Sequence, residues 1–302
     1  MSKAYSLLIC AVLLAACDKG SPKPDNAGPS TPGSATAAPI ADNGPVDTTP
    51  LAGIDVAKLS DANQKTFYKL VGSLSSPCGK AESLRKSFAS DTSCKRAPFA
   101  VRYIVALLGD EANEQQTREE YEKKYTAKDE GTAKFDVAKA PHEGPDDAPI
   151  KIYEFFDYEC PHCKLFKPQL DQLMKDENGK AVLYSMMFPL EKHEGSKSAA
   201  QAALAANAQG KFKEMHEMLF DKSPDHDHEH VSGYAKSIGL DMAKFEQDYT
   251  NAQPQVNSDY AQGEKAGVDA TPTLFINGRK YTGPNHFKYV EMWIDEELAV
   301  NR

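Results

Sequence analysis

The stretch Ile150–Phe156, followed closely by Cys160-Pro161-His162-Cys163, constrains this chain more than any other feature. Seven positions, apolar or aromatic except for Lys151 and Glu154, predict a largely buried strand. The run from Cys160 to Met174 predicts a helix. A Cys-x-x-Cys at that junction has a physical meaning. The thiolate, not the thiol, is the nucleophile. Unpaired backbone N–H groups and the positive end of the macrodipole at a helix N-terminus both stabilise an anion. Pro161 suits a first helical turn, where its missing N–H is not needed. His162 brings positive charge towards the sulfur. Cys163, one turn further in, is placed to attack a mixed disulfide and release a substrate. The competing readings of such a pair are half a zinc site and a static disulfide. Zinc needs two more ligands at suitable spacing, and no second Cys-x-x-Cys exists.

Around this junction the pattern alternates. Short strands are expected at Phe135–Ala138, Ala181–Phe188 and Thr273–Ile276. Asn277-Gly278 is a type I′ hairpin signal into Arg279–Tyr281. Helices are expected over Ser196–Phe220 as one long Ala-rich element, over Val231–Tyr249 as two pieces split near Gly239, and over Phe287–Leu298. Upstream, residues 54–130 read as helical. Ser60-Asp61 caps the first helix, Ala81–Phe88 is a second, Ala97–Leu108 ends at Gly109 as C-cap, and a charged helix follows. The fold class is α/β, with a small all-α domain in front.

The segment 134–302 resembles the DsbA-like branch of the thioredoxin superfamily. Cys160-Pro161-His162-Cys163 has the form typical of DsbA-type oxidases. Glu154 stands six residues before Cys160, where thioredoxins carry a buried acid. Pro168 stands where they carry a helix-kinking proline. Thr271-Pro272, in Asp269-Ala270-Thr271-Pro272-Thr273-Leu274-Phe275-Ile276-Asn277-Gly278, matches the cis-proline loop before the hairpin. The Ala-rich helix and Gln209-Gly210-Lys211-Phe212 resemble the helical insertion, placed at about 191–267. The resemblance implies a thioredoxin fold with Cys160, Pro161, His162, Cys163, Glu154, Thr271 and Pro272 as its site. Glu154 would relay a proton to or from Cys163, and a cis Pro272 would hold the Thr271 backbone beside Cys160. Alternatively, Glu154 faces solvent from an edge, Pro272 is an ordinary turn residue and His162 is a spacer.

The chain begins with Lys3, a short apolar run Leu7–Ala16, and small residues before Cys17. This reads as a secretory signal over 1–16, too short to span a bilayer. Leu14-Ala15-Ala16-Cys17 resembles the lipobox of bacterial lipoproteins, which implies lipidation of Cys17. A plain secretory signal is the alternative. Residues 17–53, rich in Pro, Ala, Gly and Ser, read as a disordered tether. Of the six cysteines, Cys10 would leave with the signal and Cys17 would carry lipid. The four that remain suit an oxidising compartment. A Cys78–Cys94 structural disulfide, closing a loop of about 15 residues, would stabilise the helical domain by ~3 kcal/mol. A second redox centre is the other reading of that pair.

A net charge of −9 without a basic block argues against nucleic acid as partner. The expectation is an extracytoplasmic, lipid-anchored protein-disulfide oxidoreductase with no cofactor beyond its redox disulfide. It would donate that disulfide to reduced secreted proteins and be re-oxidised by a membrane redox partner of the DsbB type. Thr271 also suits a reductase or isomerase kept reduced. A different class is a metal- or substrate-binding lipoprotein, suggested by His226-Asp227-His228-Glu229-His230, whose plainer reading is an exposed polar loop.

Overall fold

Serine and asparagine side chains cap three of the first four helices. In the computed structural model, which describes residues 45–126, 131–177 and 179–301, α1 (Asp61–Ser73) starts where Ser60 accepts from the Asn63 N–H. α2 (Leu84–Ser90) starts the same way on Ser83. α3 (Ala97–Gly109) has proline in its first turn. α4 (Glu114–Tyr125) opens on a reciprocal capping box between Asn113 and Gln116. Their apolar faces meet around Phe67, Leu70, Leu84, Ile104 and Tyr121. The signal, Cys17 and the tether up to residue 44 lie outside the described residues. The tether expected through residue 53 ends sooner. Arg85 holds the Asp47 carboxylate and the Thr49 carbonyl, and Leu51 is buried against the helices.

Gly109 is not the C-cap of α3. The helix runs through it, and Glu111 takes the left-handed conformation at φ 63°.

Cys78 and Cys94 are joined by a disulfide, with Cys78 at the surface and Cys94 buried among apolar side chains. Replacing both by serine is expected to lower the denaturant midpoint by the equivalent of ~3 kcal/mol. Reactivity at Cys160 should be unchanged. A lost turnover in a still-folded double variant would instead make the pair a redox relay.

The remaining elements form a five-stranded sheet flanked by helices. They are β1 (His142–Glu143), β2 (Ile150–Phe156), α5 (Pro161–Asp176), β3 (Ala181–Met187), α6 (Ser196–Ala208), α7 (Phe212–Lys222), α8 (His228–Ser237), α9 (Met242–Asn251), α10 (Gln253–Lys265), β4 (Thr273–Ile276), β5 (Arg279–Lys280) and α11 (Phe287–Val300). The strand order is β1-β3-β2-β4-β5, with β2 and β3 parallel and the other pairs antiparallel. One face of the sheet packs Ile150, Ile152, Leu274 and Ile276 against α5 and α11. The other carries Tyr153, Phe155, Met186 and Phe275. The five helices α6–α10 lie between β3 and β4 as the insertion.

Three local expectations change. Phe135–Ala138 is no strand. The segment has no ladder partner and enters a turn at Ala138, and the Phe135 ring sits within 5.1 Å of the Tyr153, Phe155 and Phe275 rings. The edge strand is β1 instead. The single helix over Ser196–Phe220 is two, because Gly210 turns left-handed at φ 69° between α6 and α7. α10 was not expected at all.

The helical block shares a core with the sheet. Tyr103 and Leu107 of α3 pack into the cluster formed by α5, α11 and the sheet. Arg96 reaches Glu296 at 2.6 Å and Glu297 at 3.2 Å, and Lys124 reaches Glu296 at 2.9 Å. Among the described residues no helix is long and apolar enough to cross a membrane.

Candidate active site at the amino end of α5

β2 delivers the chain to the sheet's C-terminal edge, and Cys160 becomes the N-cap of α5, with Pro161 in its first turn. Cys160 is 5 % exposed and Cys163 fully buried. Both are free thiols. Their acidities diverge. The Cys163 thiol beside it is the main reason that Cys160 drops to about 5, and Thr271 and the backbone N–H groups of Cys163 and His162 add to this against the cost of burial. Cys163 is pushed far above the ordinary thiol range, first by burial, then by Cys160 and by the charge of Glu154. His162 and Pro161 are exposed on the first turn, and His162 meets the sulfur through its backbone N–H.

Glu154 shares the β2 face of Ile150 and Ile152 and is 5 % exposed, so it does not face solvent from an edge. Burial raises its carboxyl to about 8. Asp171 adds to the rise and Lys167 opposes it. The Thr271–Pro272 peptide is cis. The Thr271 carbonyl accepts from the Cys160 thiol at 3.2 Å, and the Thr271 hydroxyl is buried without a hydrogen-bond partner. Residues from β2, α5 and the loop before β4 thus meet at the sulfur pair.

The histidine tract is not assembled into a metal site. His226 is buried, with Nε2 bonded to the Leu219 carbonyl. His228 pairs with Glu246, and His230 with Asp227, which caps α8. The tract is a helix start, not the exposed loop expected. Among the described residues no three His, Cys, Asp or Glu side chains are grouped to hold a metal.

The family profile described as thioredoxin matches residues 136–296. The chain belongs to the thioredoxin family. Within the curated proteins, its thioredoxin-family half is similar to part of the Na(+)/H(+) antiporter NhaA 1 of Mycobacterium sp. (strain KMS), 37% identical over 147 residues, covering 47% of this chain and 24% of that protein. It is similar also to the antiporter NhaA of Herminiimonas arsenicoxydans, 32% identical over 142 residues, 46% of this chain and 22% of that one. The chain therefore spans about a quarter of the length of the curated relatives it matches. Among solved structures it is similar to oxidised BdbD from Bacillus subtilis, with 26% identity and a TM-score of 0.49, over 55% of this chain and 97% of that one. It is similar to a thioredoxin-like oxidoreductase from Silicibacter pomeroyi, with 29% identity and a TM-score of 0.46, over 52% and 91%.

Two side chains next to this thioredoxin-family motif escaped the sequence reading. Tyr158 is buried, and its hydroxyl lies 3.0 Å from His216 Nδ1. Burial lowers His216 to about 3, so the ring is neutral. Asp157 is the other. Its only sequence signal is an acid directly after an apolar strand, where Asx turns are favoured.

Proposed function

We propose that the chain is a thiol–disulfide oxidoreductase that donates a Cys160–Cys163 disulfide to reduced proteins outside the cytoplasm. One observation carries this reading: two neighbouring sulfurs whose acidities are driven in opposite directions at a helix N-terminus. A substrate thiolate attacks Cys160 Sγ of the oxidised pair, and the electron pair of the broken S–S bond goes to Cys163. Cys163 cannot stay ionised in its buried site, and Glu154, with a carboxyl near 8, supplies the proton. A second substrate thiolate then attacks the substrate sulfur of the mixed disulfide. Cys160 leaves as a thiolate, and the low pKa makes it a good leaving group. The substrate gains a disulfide, and the enzyme is left with two reduced cysteines.

Stabilising that thiolate favours the reduced enzyme, which makes the disulfide the stronger oxidant. The Thr271 carbonyl lies beside Cys160, where an extended substrate segment would pair with the backbone. The Thr271 hydroxyl, unpaired while the thiol donates to the carbonyl, is the group that turns to the sulfur once the proton leaves. The signal over 1–16, lipid on Cys17 and re-oxidation by a membrane-bound oxidase complete the proposal. Their support is the leader sequence and the even count of remaining cysteines.

Equilibration with glutathione buffers tests the direction. A potential well above thioredoxin's, about −270 mV, is expected. A value at or below that figure would overturn the donor role and favour a reductase or isomerase.

A further inference from the structure

The turn that presents Cys160 is held by one fully buried carboxylate, that of Asp157. Asp157 Oδ1 accepts the Glu159 N–H at 2.7 Å, and the Asp157 backbone carbonyl accepts the Cys160 N–H at 3.1 Å. One residue thereby consumes both amides that precede the helix. The next donors in the chain, the N–H groups of His162 and Cys163, are left to face the Cys160 sulfur. The Asp157 backbone also lowers the acidity barrier at Cys163.

The same carboxylate is anchored from the far side. The Ser196 hydroxyl donates to Oδ1, the Leu190 N–H donates to Oδ2 at 2.8 Å, and His193 Nδ1 lies 2.7 Å from Oδ2. Leu190 and His193 lie in the loop that leads into α6, and Ser196 is that helix's first residue. That loop sits flush on the turn. A Cβ at Gly195 would collide with the Glu159 carboxylate and with His226. Four donors on two oxygens leave Asp157 little freedom, so the insertion fixes the turn and the turn fixes the sulfur.

We propose that Asp157 is a positioning residue for thiol–disulfide exchange, holding Cys160 at the tip of α5 by clamping the Phe156–Cys160 turn to the head of the helical insertion. The proposal rests on the exchange reading above. Geometry, not charge, is the agent. The charge of Asp157 taken alone would disfavour a thiolate nearby, whereas its acceptor oxygens organise the donors that favour one. The groups facing Cys160 itself are Cys163 and His162 from α5 and Thr271 from the loop before β4. Glu154 of β2 faces Cys163.

Asp157→Ala and Asp157→Asn separate the two effects, with the thiolate absorbance of Cys160 and the reaction with oxidised glutathione as readouts. Asn keeps an acceptor for the Glu159 N–H, and Ala does not. In the Ala variant the Cys160 pKa is expected to rise by about one unit. A higher pKa gives fewer thiolates but a more nucleophilic one. The reaction should then run about twofold slower at pH 5 and about threefold faster at pH 8. A general loss of structure would slow it at both. The Asn variant keeps the Oδ1 contacts to Glu159 and Ser196 but sets an NH2 against the Leu190 N–H and His193, so its rise should be smaller than that of Ala.

An Ala variant that is folded and titrates natively overturns the proposal, and so does a shift shared equally by Ala and Asn. If Ala does not fold, Asn decides together with amide exchange of the native protein. A rise in the pKa of Asn together with protected Glu159 and Cys160 amides supports the clamp. No rise in the pKa of Asn, or unprotected amides, overturns it. An ordinary thiol titration of native Cys160 would instead sink the exchange reading itself, whatever Asp157 does.

Discussion

Replacing Cys160 by serine abolishes disulfide exchange, while replacing Cys163 by serine leaves an enzyme that attacks once and stops. The asymmetry follows from burial. Cys160 is held as a thiolate near neutral pH, and Cys163 is held as a thiol in a closed site. With Cys163 gone, Cys160 still attacks oxidised glutathione, but no second sulfur resolves the adduct. Mass spectrometry should find one glutathione on the Cys163→Ser variant and none on the Cys160→Ser variant. Reduced, unfolded protein mixed with either variant should gain no disulfides above background. Catalysis retained by the Cys160→Ser variant would remove the mechanism's first step.

The second large effect lies away from the sulfurs. Glu296 is 1 % exposed and serves Arg96 at 2.6 Å, Lys124 at 2.9 Å and the Tyr125 hydroxyl at 2.9 Å. The Lys124 ammonium is itself buried, 3.5 Å over the Trp293 ring. Removing one member of such a group leaves a buried charge uncompensated, at a cost of about 3–5 kcal/mol. Glu296→Ala should lower unfolding stability by that amount at pH 7. The pH dependence carries a signature. Burial lowers the Lys124 pKa to about 8, with Glu296 opposing the fall. The unfolded chain therefore binds the proton more readily than the folded one above that pH. Lys124 makes native stability rise from about pH 8 until the lysine is deprotonated in both states. Without Glu296 the folded pKa drops further, and the rise should begin at lower pH. Denaturant titrations across pH 6–10 measure both. A variant within about 0.5 kcal/mol of the parent would mean that water replaces the carboxylate there.

Which of these features the sequence discloses depends on how local they are. Cys160, Pro161, His162 and Cys163 are four consecutive residues at a strand–helix junction, and spacing alone marks them. Glu154 and Thr271-Pro272 are legible only by their offsets from motifs, because nothing in a strand pattern says which face an acid takes. Asp157 was missed because its partners, Leu190, His193 and Ser196, lie more than thirty positions downstream. The two-helix nature of 196–222 turns on one glycine inside an Ala-rich run, where helix propensity dominated the reading. α10 was overlooked because its composition is mostly polar and its buried face is only Val256, Asp259 and Gly263. The attachment of α3 and α4 to α11 depends on pairs such as Arg96–Glu296, separated by 200 positions, which no local pattern encodes.

The ends of the sheet have a bearing on what the protein can safely handle. Its outermost strands, β1 and β5, are two residues each and present His142, Glu143, Arg279 and Lys280. A polypeptide that has not yet folded is prone to add itself to any long, bare ladder it meets. These rims are too short and too ionic to reward that. On the exchange reading proposed above, a client chain would meet the Thr271 backbone beside the sulfur and would have little else to cling to once its bond had been made.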